Sequence, residues 1–420
     1  MSFTKEDKED PGHVTIQLKR SESFFPQGCE APRPAFTPYE AECWTNYSGN
    51  LISHDHHLNQ DGEALFRFLL AQASVPPGFL IRCHGSHPET RERIVTTTDA
   101  QGHPTTRVET YTEHITDFNF FLDVGRHIAS GPIHWSVADS EPAYRGLMVL
   151  QVDTPNGRRK AISEEKSMAK DWQKQRYDRG LPPWVGPGWQ EGVAGFDDGV
   201  VLKSSRSLRQ WADEYCASRK LLKDFTYHKV VYGWDIHTIL DAIRSTISST
   251  GYHSSVTVEV KVSGTKIHIR PDNKLSRALS HIWVRILLWL FLIYPFIWLF
   301  KRFSRWGGGN WEVCGGAYAL KSWQRENNYN GYEPVADSSN AAYSGWQGPA
   351  PPRLVGLPAG GYMRLVGTRE GEWFRMMEPS IRNAVQSRLQ TDTPLPSAVT
   401  EGFSNPIAPY LDGYAPAYTN

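Results

Sequence analysis

The run Ile282-Trp-Val-Arg285-Ile-Leu-Leu-Trp289-Leu-Phe-Leu-Ile-Tyr294-Pro295-Phe-Ile-Trp298-Leu-Phe300 constrains this chain more than any other part of it. It approaches the roughly 20 apolar residues that cross a hydrocarbon core of about 30 Å. Lys274 and Arg277 precede it, and Lys301, Arg302 and Arg305 follow it. A buried core helix is the competing reading. The unbroken apolar stretch from Ile286, the aromatic residues Trp283, Trp289, Tyr294 and Trp298, and the basic ends favour a bilayer. One membrane helix over 282–300 is therefore expected, read as a single pass. The alternative is a segment that kinks at Pro295, dips into one leaflet and returns. Basic residues lie almost evenly on the two sides, so the positive-inside rule does not orient the segment. The charged opening Met1-Ser-Phe-Thr-Lys-Glu-Asp lacks a secretory signal, which predicts that the region before about residue 280 is cytosolic.

The rest of the chain reads as α+β. Residues 1–42 are rich in charge, Pro and Ser and are expected to be disordered. Residues 43–157 predict a β-rich domain. In it Asp61 caps a helix carrying Leu65, Phe68 and Leu69, and strands follow at Phe79–Cys83, Arg91–Thr98 and Arg107–Val124. Alternating Thr and charge over Arg93–Thr116 predicts a ribbon wet on both faces near its tip. Residues 158–199 combine a charged, helix-like stretch with the Pro/Gly/Trp run from Gly180 to Trp189, read as a linker. Residues 200–273 predict a small β-α-β-β unit at the bilayer surface. Asp235 caps its helix, and Val256–Val262 turns back at Ser263-Gly264 into Ile267 and Ile269. Residues 301–420 are expected to be a mostly disordered tail, with a short strand-like piece at Trp311–Leu320 and one short helix after Pro379-Ser380.

Lys plus Arg and Asp plus Glu are equal at 45 each, so no bulk charge recommends a nucleic-acid partner. The five cysteines are odd in number, scattered and without CxxC spacing, and read as reduced thiols. The chemically suggestive residues are His54, His56, His57, Cys83, His84 and His87. Imidazole, thiolate and carboxylate are the donors that zinc takes, if the two runs converge in space. No GxSxG, GxxxxGK[ST] or HExxH motif is present. Asp197-Asp198-Gly199 reads as a turn, and Gly307–Gly309 and Gly315-Gly316 as a hinge and a turn. Pro349-Ala-Pro-Pro352 has the PxxP spacing that docks in aromatic grooves, which makes the tail a candidate site for a protein partner.

The run Cys43-Trp-Thr-Asn-Tyr-Ser-Gly-Asn-Leu-Ile-Ser-His-Asp-His-His, with Gly131-Pro-Ile-His-Trp135 and Trp311-Glu-Val-Cys-Gly-Gly-Ala-Tyr318, resembles a family of uncharacterised predicted membrane proteins of filamentous fungi. The resemblance implies an endomembrane setting (ER, Golgi or vacuole) and carries over no catalytic residue. Three functions follow as expectations. The first is a non-enzymatic, membrane-anchored interaction or scaffold protein. The alternatives are a membrane-bound metal-dependent enzyme using the His-rich site, and a lipid-binding or lipid-sensing module.

Overall fold

The computed structural model describes residues 37–98, 104–187, 201–326, 335–337, 353–356 and 361–397. The expectations placed on residues 1–36, Trp189, Asp197-Asp198, the Pro349–Pro352 motif and residues 398–420 lie outside the described residues. The architecture is α+β, with two main sheets that each carry their own helical layer and core.

The first sheet has six strands, in the order Cys43–Thr45, Leu51–Ser53, Lys266–Ile269, Leu222–Tyr232, Gly308–Ala319 and Ser130–Ser136. Side chains on a strand alternate between faces, so every second residue of Leu222–Tyr232 points one way. Phe225 and Tyr227 join Ile267, Ile269, Trp311 and Val313 on the covered face. Two helices cover it. Gly62–Ala73 contributes Leu65, Phe68 and Leu69, and Leu208–Ala217 contributes Trp211, Ala212 and Tyr215. Asp61 caps the first of these by accepting from the Glu63 amide, and Ser207 caps the second through the Gln210 amide. Asp224, Thr226 and His228 alternate with the core residues and point to the opposite, polar face.

The second sheet runs Ser255–Ser263, Gly78–Thr98, Pro104–Asp123 and Gln390–Pro394. Its two central strands are one long antiparallel ribbon, paired from Leu80 opposite Asp123 out to Thr98 opposite Pro104. At the base Phe79, Ile81, Cys83, Phe118, Phe120 and Leu122 are buried. Toward the tip Ile94 and Val108 are exposed and Arg93 and Glu109 pair at 2.9 Å across the strands, so this half is wet on both faces. Two helices cover the base: Ile236–Ser249, capped by Asp235, and Glu370–Gln386.

Three expectations are corrected here. The Val256–Val262 and Ile267–Ile269 strands do not form a hairpin. The first pairs with Gly78–Ser86 in the second sheet, and the other lies between Leu51–Ser53 and Leu222–Tyr232 in the first. Gly264, at φ 66°, turns the chain from one sheet into the other. A period-2 pattern announces a strand and one buried face but does not name the partner. Next, much of the chain beyond 301 is built into the fold: Trp311 and Val313 enter one core, and Trp373, Phe374, Met377 and Ile381 enter the other. The expected short helix after Pro379 begins nine residues earlier, at Glu370, and carries Pro379 in its interior. The lost backbone hydrogen bond is offset by burial on both sides of the proline. Lastly, Gly315 and Gly316 form no turn. They lie within the strand Gly308–Ala319, where a Cβ on Gly315 would collide with the His228 carbonyl oxygen.

Strands from the expected 43–157 and 200–273 units share both sheets. The segment between them is also tied in. The helix Ser163–Asp178 turns Arg176 inward to Glu141 at 2.8 Å, and Trp184 packs edge-on against Tyr232 with ring centroids 5.6 Å apart.

Candidate functional site

The apolar run does not form one helix. It folds as Ile282–Leu290 and Ile293–Phe303, bent by 105° at a break of two residues. At 1.5 Å per residue these are about 14 and 17 Å long, each about half of a 30 Å core. Among the described residues no single helix is long and apolar enough to cross a membrane, and only this bent pair has the combined length and composition. The expected single membrane helix is therefore replaced by a hairpin, and its bend does not lie at Pro295. The bend occurs at Leu292, which adopts the left-handed conformation at φ 58°, ψ 18°. Pro295 is the third residue of the second helix, within the first turn, where backbone N–H groups have no intrahelical acceptor and a proline removes nothing.

The ends of the hairpin are fixed by the first sheet. The chain leaves at Ile269, opposite Phe225, and returns at Gly308, opposite Leu222. Both flanking strands pair with Leu222–Tyr232, one on each side, and they meet it at the same end. Between them Asn273 caps a lead helix, Lys274–Ser280, by accepting from the Ser276 amide at 2.7 Å. The outer surface of the hairpin is apolar and uncovered: Trp283 and Leu290 are each 75% exposed, Phe296 is 71% exposed and Phe303 is 74% exposed. Trp289 stacks on Tyr294 across the bend, with ring centroids 5.0 Å apart.

Beneath the hairpin lies a half-open cavity of about 150 Å³, lined by Leu279, Ile297 and Trp298 from the helices and by the end of the sheet. Its charged residues are Lys223, Asp224, Arg270, Arg285 and Lys301. The Lys223 ammonium donates to the carbonyl oxygens of Tyr215 and Ser218 at 2.9 Å and of Asn59 at 3.1 Å. Burial lowers its pKa to about 8. Asp224 accepts from Arg270 Nε at 2.8 Å and faces His268 Nδ1 at 3.3 Å. Burial alone would raise this carboxyl, but the Arg270 guanidinium and the His268 ring outweigh it and hold the group well below the usual carboxylate range. Arg270 also donates to Ser280 Oγ at 3.0 Å, tying the sheet to the lead helix. Arg285 donates to the Leu279 carbonyl at 3.2 Å. Lys301 has no ion-pair or hydrogen-bond partner among the described residues, and burial pushes its ammonium below the ordinary lysine value.

The histidine and cysteine residues proposed as metal ligands are dispersed. His54 is buried just after the strand Leu51–Ser53. Its Nδ1 lies 2.8 Å from the Pro271 carbonyl and its Nε2 2.9 Å from Ser280 Oγ, and Trp44 stacks on the ring. Both ring nitrogens are thus engaged, one with the chain just before the lead helix and one with the last residue of that helix. His56 is exposed, and His57 lies 3.4 Å from Asp61 on the surface. Cys83 is in the core of the second sheet, where burial pushes its thiol up. His84 points to the other face of that strand, 3.3 Å from Thr116 Oγ1, and His87 sits 2.8 Å from Asp117. Among the described residues no three His, Cys, Asp or Glu side chains converge to hold a metal ion. The His54–His57 run follows the strand Leu51–Ser53 of the first sheet, whereas Cys83, His84 and His87 lie on Gly78–Thr98 of the second.

Comparison with protein-family models, with curated proteins and with solved structures finds no match to this chain. The cavity residues Asp224 and Arg270 carry no local motif. One signal was available in Arg285, a charge inside an apolar run, which is costly unless it faces protein or a polar cavity.

Proposed function

We propose that the protein is a monotopic membrane protein with a non-enzymatic binding role, attached to one leaflet by the 282–303 hairpin. The observation that carries this reading is the departure and return of the chain at one end of one strand, with an uncovered apolar hairpin between. A crossing at this segment would put Lys266–Ile269 and Gly308–Ala319 on opposite sides of a bilayer, yet both hydrogen-bond to Leu222–Tyr232. Helices of about 14 and 17 Å suit half of a 30 Å core. The occupant of the apolar surface is a lipid bilayer, because the surface is rich in Trp and Phe and is bordered by Lys274, Arg277, Arg302 and Arg305, the composition of an interfacial anchor. On this reading both flanks face the cytosol, at the surface of an endomembrane, as the fungal membrane-protein resemblance implies.

Flotation of the full-length protein with phosphatidylcholine vesicles tests the attachment. Protein recovered with the vesicles is the expected result, and folded protein that stays in the dense fraction excludes it.

A further inference from the structure

The cavity beneath the hairpin holds more positive charge than its single carboxylate answers. Arg270, Arg285 and Lys301 stand against Asp224 alone, since the Lys223 ammonium is turned to the covered face of the sheet. Arg270 is committed to Asp224 and Ser280. Arg285 makes one bond, to the Leu279 carbonyl, and Lys301 makes none among the described residues. The counter-charge that Lys301 feels, the Asp224 carboxylate, is already paired with Arg270, so its partly desolvated ammonium is costly and a bound anion relieves that cost. The cavity is roomy enough, since its 150 Å³ is about ten times the ~15 Å³ that admits one water. Ser276 and Tyr294 add side-chain hydroxyl groups to its wall.

We propose that Lys301 and Arg285 bind a phosphate group, presented by the headgroup of an anionic phospholipid in the leaflet that the hairpin enters. The guanidinium supplies a planar pair of donors and the ammonium a point charge, the two modes by which proteins hold phosphate oxygens. A lipid is the source because the helices that line the cavity are the ones that expose Trp283, Leu290 and Phe296 outward, so the site lies where those side chains enter the bilayer. This inference rests on the monotopic reading above.

The test uses full-length protein and two vesicle compositions, phosphatidylcholine alone and phosphatidylcholine doped with phosphatidic acid. Wild-type protein is expected to bind the doped vesicles more tightly. A basic residue near an anionic surface contributes about fivefold without any site, so K301Q with R285Q should weaken binding to doped vesicles by well over the roughly twenty-five-fold that two such charges explain. Binding of that double variant to neutral vesicles should be unchanged, and K301R should retain most of the preference. R305Q removes an exposed cation outside the cavity and should cost less than K301Q. Equal losses for R305Q and K301Q would reduce the effect to general surface charge and overturn the site. Wild-type protein that binds both vesicle types equally leaves the membrane attachment standing and removes the headgroup site, whereas no binding to either removes both. If millimolar inorganic phosphate abolishes the preference at constant ionic strength, the cavity belongs to free phosphate and the lipid source is overturned.

Discussion

Replacing the tip of the hairpin with polar residues should release the protein from membranes without unfolding it. The triple variant L290S/F291S/L292N targets side chains that are 75%, 63% and 67% exposed. Asparagine is chosen at 292 because that residue sits at φ 58°, a conformation asparagine adopts more readily than leucine. Burying one such apolar side chain completely is worth about 2 kcal/mol, so the two-thirds still available to lipid is worth about 1.4 kcal/mol. Three residues together give about 4 kcal/mol, which corresponds to a drop of about a thousandfold in the partition coefficient onto neutral vesicles. Exposed positions contribute little to folding, so the melting temperature should stay close to that of the wild type. Flotation at a series of lipid concentrations measures the partition coefficient, and circular dichroism the melt. An unchanged partition coefficient in a variant that melts normally would refute the assignment of the hairpin as the membrane-binding element.

Two further expectations concern the polar face of the first sheet. The Asp224 carboxyl titrates below its unfolded value of about 3.9, so the unfolded chain takes up its proton first as the solution is acidified. The Asp224–Arg270 pair therefore contributes stability that is present above about pH 4 and lost below it. D224N should cost about 2 kcal/mol at neutral pH, and its melting curve should converge on that of the wild type at low pH; a constant gap down to pH 2 would contradict this. Burial lowers the His228 ring to about 4, and Lys266 and His268 push the same way. Glu312 lies 3.9 Å from it, and burial pushes that carboxyl up from its ordinary value. The unfolded ring protonates near 6.5, so stability should fall as pH drops from about 6.5 to 4, by about 3 kcal/mol at most. H228Q should flatten that part of the profile, and an unaltered slope would assign it to other groups.

What could be read from the chain was local. Asp61 and Asp235 cap the helices that their positions announce, and the wet outer half of the 78–123 ribbon follows from its alternation of Thr and charge. Pairing was not legible, because Val256, Val258 and Val260 alternate in the same way whichever strand lies beside them. The bend at Leu292 was hidden as well. Hydropathy sums apolar residues and is blind to one residue with positive φ, and no glycine marks the place. The visible proline, Pro295, pointed to a kink three residues too late. In the same way Pro379 suggested a helix start, whereas buried Trp373, Phe374 and Met377 carry the helix through it. The cavity draws on residues 222–224, 270–285 and 294–301, which only the strand order and the hairpin bend bring together.

Protease accessibility of both flanks tests the one-leaflet attachment most directly. Full-length protein with a different epitope at each end is bound to sealed microsomes and treated with protease from outside. Both epitopes should be lost, and a fragment covering the 282–303 hairpin should stay with the membrane after alkaline extraction. An epitope on the C-terminal side that is protected until the vesicles are opened with detergent would mean that the chain crosses the bilayer, and would contradict the shared sheet that joins its two flanks.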